Sequence, residues 1–142
     1  MLMGTVSHSL DAKGRLIIPA AFRKTLGEGF VLARQMEKCL ILYPESEWNK
    51  LVKKINALPK ISSKTARDIR RFFFGNSVIP ELDKQGRILI PPALRNYAGL
   101  TKDVTLIGID DHVEIWDSAT WNRYNDEGDL GQVSMDLEGI DL

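Results

Sequence analysis

Hydrophobic and polar residues alternate near the start of the chain. Val6, His8 and Leu10 occupy every second position, and the positions around them hold threonine or serine. This period of two predicts a β-strand with one buried face. The next four residues, DAKG, predict a turn, because aspartate accepts hydrogen bonds from amides ahead of it and glycine tolerates a positive φ. RLII then predicts a second short strand, apolar enough to be buried on both faces.

Helical patterns follow these strands. The segment from Pro19 to Gly27 predicts a short helix, since proline fits the first turn and glycine fits the left-handed position after the last. VLAR and CLILY predict a hairpin around QMEK. A helix that Glu45 or Ser46 caps is predicted next, with its apolar residues at the spacing i, i+3, i+4 and i+7: Trp48, Leu51, Val52 and Ile55.

The chain contains one close internal repeat. Residues 10–23, LDAKGRLIIPAAFR, recur 72 positions later as residues 82–95, LDKQGRILIPPALR. Both copies have the same order of predicted elements. In the second copy these are strand SVIPEL, turn DKQG, strand RILI, a Pro-to-Gly helix and the hairpin of VTLIGI and VEIW. The repeated units are residues 4–51 and 76–124. A helical connector at 52–75, capped by Ser62 or Ser63, joins them, and an acidic tail at 125–142 follows.

Each repeated unit is too small to bury a large core of its own. We therefore expect the two copies to pack on each other as a pseudo-twofold pair, with four strands from each copy and helices at the rim. The predicted fold class is mainly β with α.

Charge is segregated along the chain. The 19 basic and 19 acidic residues balance overall, but the charged residues in 126–142 are all acidic: Asp126, Glu127, Asp129, Asp136, Glu138 and Asp141. The rest of the chain is correspondingly basic, most strongly between residues 49 and 76. A basic body with an acidic tail is compatible with a polyanionic partner, although each segment taken alone fits a solvated surface equally well.

Composition places the chain among ordinary soluble proteins. It is 44% hydrophobic and 27% charged, and it has no basic-then-apolar leader and no apolar run long enough to cross a bilayer. A cytoplasmic location is expected. The single cysteine, Cys39, cannot form an intrachain disulfide and is expected to be a small buried side chain.

The motifs of common enzyme classes are missing. The sequence contains no phosphate-binding glycine loop, no HExxH, no Cys-x-x-Cys and no serine in a nucleophile elbow. His8 and His112 are neither spaced like metal ligands nor equivalent under the repeat. We expect no enzyme activity, no catalytic residues, no metal site and no cofactor.

The repeated turn is the remaining candidate site. Each copy places an aspartate and an arginine four residues apart across a glycine turn. A single such pair would be interpreted as an ion pair that stabilises a hairpin. Two copies related by an approximate twofold axis, however, present one cationic surface. Its candidate DNA-binding residues are Lys13, Arg15, Lys84, Gln85 and Arg87. Its candidate turn-orienting residues are Asp11, Gly14, Asp83 and Gly86.

These residue types suit duplex DNA. Arginine bonds a guanine edge bidentately, glutamine bonds an adenine edge, and lysine neutralises phosphate. An aspartate that fixes its arginine's rotamer reduces the entropy lost on binding. The turns carry no aromatic side chain on which a single strand would stack. Double-stranded DNA is therefore the expected partner, rather than RNA, a membrane or a small-molecule substrate.

At these residues the sequence resembles the MraZ family of bacterial transcriptional regulators and, more broadly, the AbrB class of swapped-hairpin DNA-binding domains. The resemblance rests on Met1 to Gly4, on DAKGRLIIPA and DKQGRILIP, and on FFFG at 72–75, and it extends to about Tyr124. It implies a double-psi, swapped-hairpin β-barrel built from both halves of the chain, and chains assembled into a ring. It also implies binding near the nucleoid to repeated sites upstream of the division and cell-wall gene cluster, with Arg15 and Arg87 on the DNA-binding surface.

Two other functions stay open at this point. A ring-forming scaffold for protein interactions would use the turns as subunit contacts, and Ile69, Phe72 and Phe73 of the connector could serve the same purpose or pack at the rim. An antitoxin of the same fold would bind a toxin, but its usual form is one short module with a tail, so the tandem repeat argues against it. The operator sequence, the sign of regulation and the number of subunits cannot be read from the sequence.

Overall fold

The computed structural model describes residues 1–58, 63–128 and 130–140. The first half contains four strands and two helices: β1 (Leu2–Ser9), β2 (Arg15–Ile17), α1 (Ala20–Leu26), β3 (Val31–Arg34), β4 (Leu40–Tyr43) and α2 (Glu45–Asn56). The second half contains three strands and four helices: α3 (Lys64–Phe74), β5 (Arg87–Leu89), α4 (Pro92–Tyr97), β6 (Asp103–Asp110), β7 (His112–Asp117), α5 (Ser118–Asp126) and α6 (Leu130–Asp136). No described helix is both long enough and apolar enough to span a bilayer.

The strands form two antiparallel sheets. The larger has the order β1-β6-β7-β4-β3, and the smaller pairs β2 with β5. Each sheet therefore joins the two copies of the repeat. The large sheet does so through β1 with β6 and through β4 with β7, and the small sheet through β2 with β5.

The strand registers have the pattern that a twofold axis produces. In the small sheet Leu16 lies opposite Ile88, its counterpart in the repeat, and Arg15 and Ile17 lie opposite Leu89 and Arg87, so the neighbours are exchanged. In the large sheet the same exchange is centred on Ile41 and Glu114. The expected packing of the copies on each other is confirmed.

One hydrophobic core is shared by both copies. Residues of the first copy pack in it against residues of the second, and the side chains named here are all 0% exposed. They are Leu16, Ile18, Leu32 and Leu42 from the first copy and Ile88, Ile90, Val104 and Ile115 from the second. Neither copy is large enough to bury these residues alone, so the two copies fold as one body.

Two expectations about the β structure need correction here, and a third stays untested. The fold is mixed α/β rather than mainly β, because the described helices contain more residues than the strands. The strand expected at SVIPEL is wrong: only Val78 pairs, in a single bridge with Leu32. Pro80, two residues later, has no amide hydrogen and cannot continue a ladder. The described strands hydrogen-bond as two sheets, and the closed double-psi barrel stays a prediction.

Strands β2 and β5 are buried on one face only. Leu16 and Ile88 are fully buried, whereas Ile17 is 41% exposed and Leu89 52% exposed. The expectation that RLII is buried on both faces is therefore wrong. A two-stranded sheet has a single face against the core, so alternate side chains must face outward.

The second half of the connector is a packed helix, α3. Ser63 caps α3 by accepting a hydrogen bond from the amide of Ala66 at 3.2 Å, whereas Ser62 lies outside the described residues. Arg34 of β3 holds the far end of α3: its guanidinium lies 4.2 Å from the centre of the Phe72 ring and 5.0 Å from that of Tyr97. Phe72 is thus packed at the rim of its own chain.

The last two helices differ in their packing. Asp117 caps α5, which packs its Trp121 on the buried Trp116 with 5.4 Å between the ring centres, whereas no residue of α6 is buried. Within the acidic tail, Asp129 and Asp141 lie outside the described residues. Cys39 is fully buried, as expected, and burial raises the pKa of its thiol.

Candidate nucleic-acid interface

The first turn is held by one aspartate. Asp11 Oδ1 accepts hydrogen bonds from the amides of Lys13 at 3.0 Å and Arg15 at 2.8 Å, and Asp11 Oδ2 accepts one from Arg15 Nε at 2.6 Å. The Gly14 amide donates to the Asp11 carbonyl at 3.0 Å, with Gly14 at a φ of 81°. A non-glycine residue would be strained at that angle, so the D-x-x-G-R spacing follows from the turn's own geometry.

The second turn repeats this arrangement. Asp83 Oδ1 accepts from the amides of Gln85 and Arg87, both at 2.9 Å, and its Oδ2 accepts from Arg87 Nε at 2.7 Å. Gly86 has a φ of 77°. Two sequences that differ at the turn tip therefore fold into the same set of bonds.

The exchange of strands places the turns at the two ends of the three-residue β2–β5 ladder, where each contacts the other copy. The Ile18 amide donates to the Gly86 carbonyl at 2.9 Å, and the Ile90 amide donates to the Gly14 carbonyl at 3.0 Å. The guanidinium of Arg87 reaches across to Asp11, with Nη1 and Oδ2 separated by 3.6 Å. Each turn is thus attached to the other copy through its glycine, and the two form one surface.

The arginines of this surface are fixed but accessible. The side chains of Arg15 and Arg87 are 33% and 23% exposed. The same-turn aspartates bind Nε of each arginine, which leaves the terminal nitrogens of Arg15 without a hydrogen bond in the described part of the chain. Lys13, Lys84 and Gln85 lie exposed at the tips. The structure therefore links Arg15 and Arg87 through Asp11 and leaves Lys13, Lys84 and Gln85 exposed on the turn to which each belongs.

Hydrogen bonding keeps both aspartates charged. The backbone amide of Arg15, and after it the Arg15 guanidinium and the Lys13 amide, hold the pKa of Asp11 below its usual range against the opposing effect of desolvation. Arg87 and Gln85 lower the pKa of Asp83 in the same way. Each carboxylate therefore remains an acceptor for its turn at neutral pH.

Arg23 and Arg95 belong to the site although the sequence reasoning assigned them no role. They end the repeated segment in α1 and α4, and each guanidinium lies against the turn glycine of the opposite copy. The atoms of Arg95 lie 2.5 to 2.9 Å from where a Cβ on Gly14 would be, and Arg23 Nη1 lies 1.5 Å from the corresponding point on Gly86. Their matched positions in the repeat are the signal that could have identified them.

The structure shows no arrangement typical of a metal centre. Among the described residues, no three His, Cys, Asp or Glu side chains are grouped so that they could hold an ion. His112 Nδ1 lies 2.6 Å from Asp111 Oδ1 at the end of the β6–β7 hairpin, and His8 lies half-buried on β1.

The pH dependence of the turns follows from the lowered carboxyl pKa values. A group whose pKa is lower in the folded state contributes stability above its unfolded pKa, about 4 for aspartate, and loses it as pH falls through the folded pKa. We expect the turns to be unchanged between about pH 5 and 8 and to loosen only in stronger acid. A ¹³C NMR titration of the aspartate carboxyls measures this. Arg15→Ala should raise the pKa of Asp11 toward its usual value, and Asp83 in the same sample is the control. A wild-type Asp11 that titrates at or above the usual value would contradict the prediction.

Comparison with known proteins agrees with this geometry. The family model described as "MraZ protein, putative antitoxin-like" matches the chain twice, over residues 1–72 and 73–135, with one turn in each match. The chain is also 50% identical over 144 aligned residues to a protein named transcriptional regulator MraZ from Halothermothrix orenii, and the alignment covers 100% of both chains. Because the family matches span nearly the whole sequence, the chain belongs to the MraZ family.

Proposed function

We propose that the protein is a transcriptional regulator that binds double-stranded DNA in a sequence-specific manner through its two D-x-x-G-R turns. One observation carries the proposal: two independently encoded turns adopt the same hydrogen-bonded geometry, and each is bonded to the opposite copy through its glycine. A hairpin that only needed a stable turn would not require the second copy, its arginine and the bonds between them. The name of the relative from Halothermothrix orenii agrees with regulation of transcription.

Each residue type on the surface has a distinct role in this proposal. Arg15 and Arg87 bond base edges in the major groove, where guanine offers two acceptors to a guanidinium. Gln85 reads an adenine edge, and Lys13 and Lys84 neutralise phosphates. Since an aspartate already fixes each arginine at Nε, fewer rotamers are lost on binding, which favours affinity.

The rest of the architecture follows the family resemblance. We infer that residues 4–51 and 76–124 are two modules of one swapped-hairpin barrel, with the connector at 52–75 and the tail at 125–142 outside it. Chains assembled into a ring would place several turn pairs on regularly spaced DNA repeats, such as sites upstream of the division and cell-wall genes. One pair reads few bases, so the effective concentration of the remaining pairs would supply much of the affinity.

A scaffold function is the second candidate, favoured by exposed apolar side chains near the turns. Leu82 is 41% exposed and Ile79 69% exposed, and both precede the second turn. In that case Arg15→Ala and Arg87→Ala would change the sedimentation of the protein in analytical ultracentrifugation and leave DNA binding intact. The proposed function requires the reverse.

The salt dependence of DNA binding tests the proposal. Duplex DNA from upstream of the protein's own gene should bind with a log affinity that falls linearly with log salt, by about 0.9 for each phosphate neutralised. Lys13→Ala and Lys84→Ala should each reduce that slope by about one phosphate. Lys54→Ala, which removes the same charge from the exposed face of α2, is the matched control and should leave the slope unchanged. A flat salt response of the wild-type protein would be evidence against DNA binding.

A further inference from the structure

The glycine of each turn is covered by an arginine from the other copy. At Gly14, a Cβ would lie 2.5 Å from both Cζ and Nη1 of Arg95 and 2.9 Å from its Nε. Three guanidinium atoms at such similar distances mean that the group lies flat over the glycine. Real Cβ atoms do not approach other atoms this closely, so a side chain at Gly14 would displace Arg95.

The second turn is contacted by an arginine with the copies exchanged, but in a different orientation. A Cβ on Gly86 would meet Nη1 of Arg23 first, with Cζ at 2.7 Å and Nε at 3.4 Å, so this guanidinium approaches the glycine end-on. The same two glycines accept the hydrogen bonds from Ile18 and Ile90 described above, which also cross between copies. Each turn is therefore held from two sides by the copy to which it does not belong.

We propose that Arg23 and Arg95 are positioning residues for DNA recognition, each bracing the turn of the opposite copy so that the two turns act as one unit. The proposal rests on the proposed function and extends it. Arg15 and Arg87 directly follow the braced glycines, so a shift of the glycine moves the base-reading arginine with it. The brace fixes the backbone position from which each base-reading arginine extends, and the aspartate fixes the direction of its side chain.

At Gly14 the contact is one that a planar guanidinium makes and an ammonium group does not. Arg95 Nε is buried and has no hydrogen-bond partner among the described residues, so packing over the turn, rather than a hydrogen bond at Nε, holds that part of the side chain. Leaving a buried donor unpaired has a free-energy cost. Arg23 contacts Gly86 through the end of its guanidinium, which lies one bond beyond the position that the ammonium nitrogen of a lysine reaches, and lysine carries its charge on a compact point.

A direct contact between Arg23 or Arg95 and a DNA phosphate is the competing explanation. It predicts that lysine, which also neutralises phosphate, preserves binding at either position. The brace predicts that lysine fails. The substitutions Arg23→Lys and Arg95→Lys therefore separate the brace from a phosphate contact. Lys24→Ala, at the exposed position next to Arg23 on α1, is the control.

The experiment measures two quantities on each full-length variant. Binding of the upstream duplex should weaken by about tenfold in each lysine variant, comparable to losing one bidentate base contact, with an unchanged salt slope. In ¹⁵N NMR spectra without DNA, Arg95→Lys should shift the amides of residues 11–15 more than those of 83–87, and Arg23→Lys should do the opposite. Wild-type affinity in both lysine variants, or shifts confined to each arginine's own copy, would overturn the proposal.

A pair of glycine variants checks the same contact from the other side. Gly14→Ala and Gly27→Ala both place alanine at a positive φ, of 81° and 68°, but only Gly14 has atoms within 4 Å of the new methyl group. Gly14→Ala should weaken DNA binding at least about fivefold more than Gly27→Ala, and its effect should not add to that of Arg95→Lys. Equal and additive effects would contradict the brace.

Failure of the proposed function is distinguishable from failure of the brace. If the wild-type protein binds no duplex, the proposed function fails, and the role of Arg23 and Arg95 in recognition fails with it. The NMR shifts still decide whether the brace exists.

Discussion

Alanine at Arg15 or at Arg87 is expected to weaken binding of the upstream duplex by about 1 to 3 kcal/mol for each arginine, or roughly 5- to 150-fold. The loss has two sources. The base edge loses its bidentate partner, and the aspartate of the turn loses the guanidinium that binds its Oδ2 atom at 2.6 or 2.7 Å. Fluorescence anisotropy at one fixed salt concentration measures the loss.

The two arginines should not behave as independent sites. Arg87 lies 3.6 Å from the carboxylate that binds Arg15, so both share Asp11. A double-mutant cycle on Arg15→Ala and Arg87→Ala should show a coupling energy of about 0.5 kcal/mol or more, as for other residues in one network. Lysine at either position should restore the charge without the bidentate geometry and should recover little affinity.

Controls separate recognition from charge and from assembly. Lys54→Ala removes one positive charge from α2 and should bind DNA as the wild-type protein does. Analytical ultracentrifugation of the arginine variants should show the same sedimentation as the wild-type protein. If both arginine variants bind the duplex with wild-type affinity, the turns are not the recognition site, and changed sedimentation of the same variants would favour the scaffold.

Much of the local structure could be predicted from the sequence because short-range chemistry determines it. The Asp-to-Gly turn, the Pro-to-Gly helices and the Ser63 cap depend on residues within a few positions of each other, and all are observed. The duplication also predicted that the copies pack together, since neither could bury its own apolar face.

Features that depend on tertiary contacts were missed. The exposure of Ile17 depends on what covers a two-stranded sheet, and no local pattern records that. SVIPEL occupies the place of a strand in the second copy, yet only Val78 finds a partner. Arg23 and Arg95 look like ordinary helix-end cations in sequence, and their contact with the glycines arises only when the strands are exchanged between copies.

Leu16→Ala and Ile88→Ala are expected to produce the largest losses of stability, about 2 to 5 kcal/mol each in the free energy of unfolding. Both side chains are 0% exposed and lie opposite each other in the small sheet. Removing either opens a cavity in the core that both copies share. Urea denaturation measures the loss as a lower midpoint with an unchanged slope.

The matched controls are the outward neighbours of these residues on the same strands. Ile17→Ala and Leu89→Ala remove similar side chains that are 41% and 52% exposed, and each should cost within about 0.5 kcal/mol of zero, as exposed positions usually do. Equal losses at inward and outward positions would mean that the small sheet is covered on both faces.

The cooperativity of unfolding distinguishes a shared core from two attached modules. If Leu16 and Ile88 belong to one core, either substitution destabilises both copies together and a single transition remains. Because the two side chains are in contact range, the double variant should deviate from additivity by about 0.5 kcal/mol or more. Two separate transitions, each sensitive to only one substitution, would mean that the copies fold independently. In that case the turns would lose the fixed relationship on which their joint recognition of DNA depends.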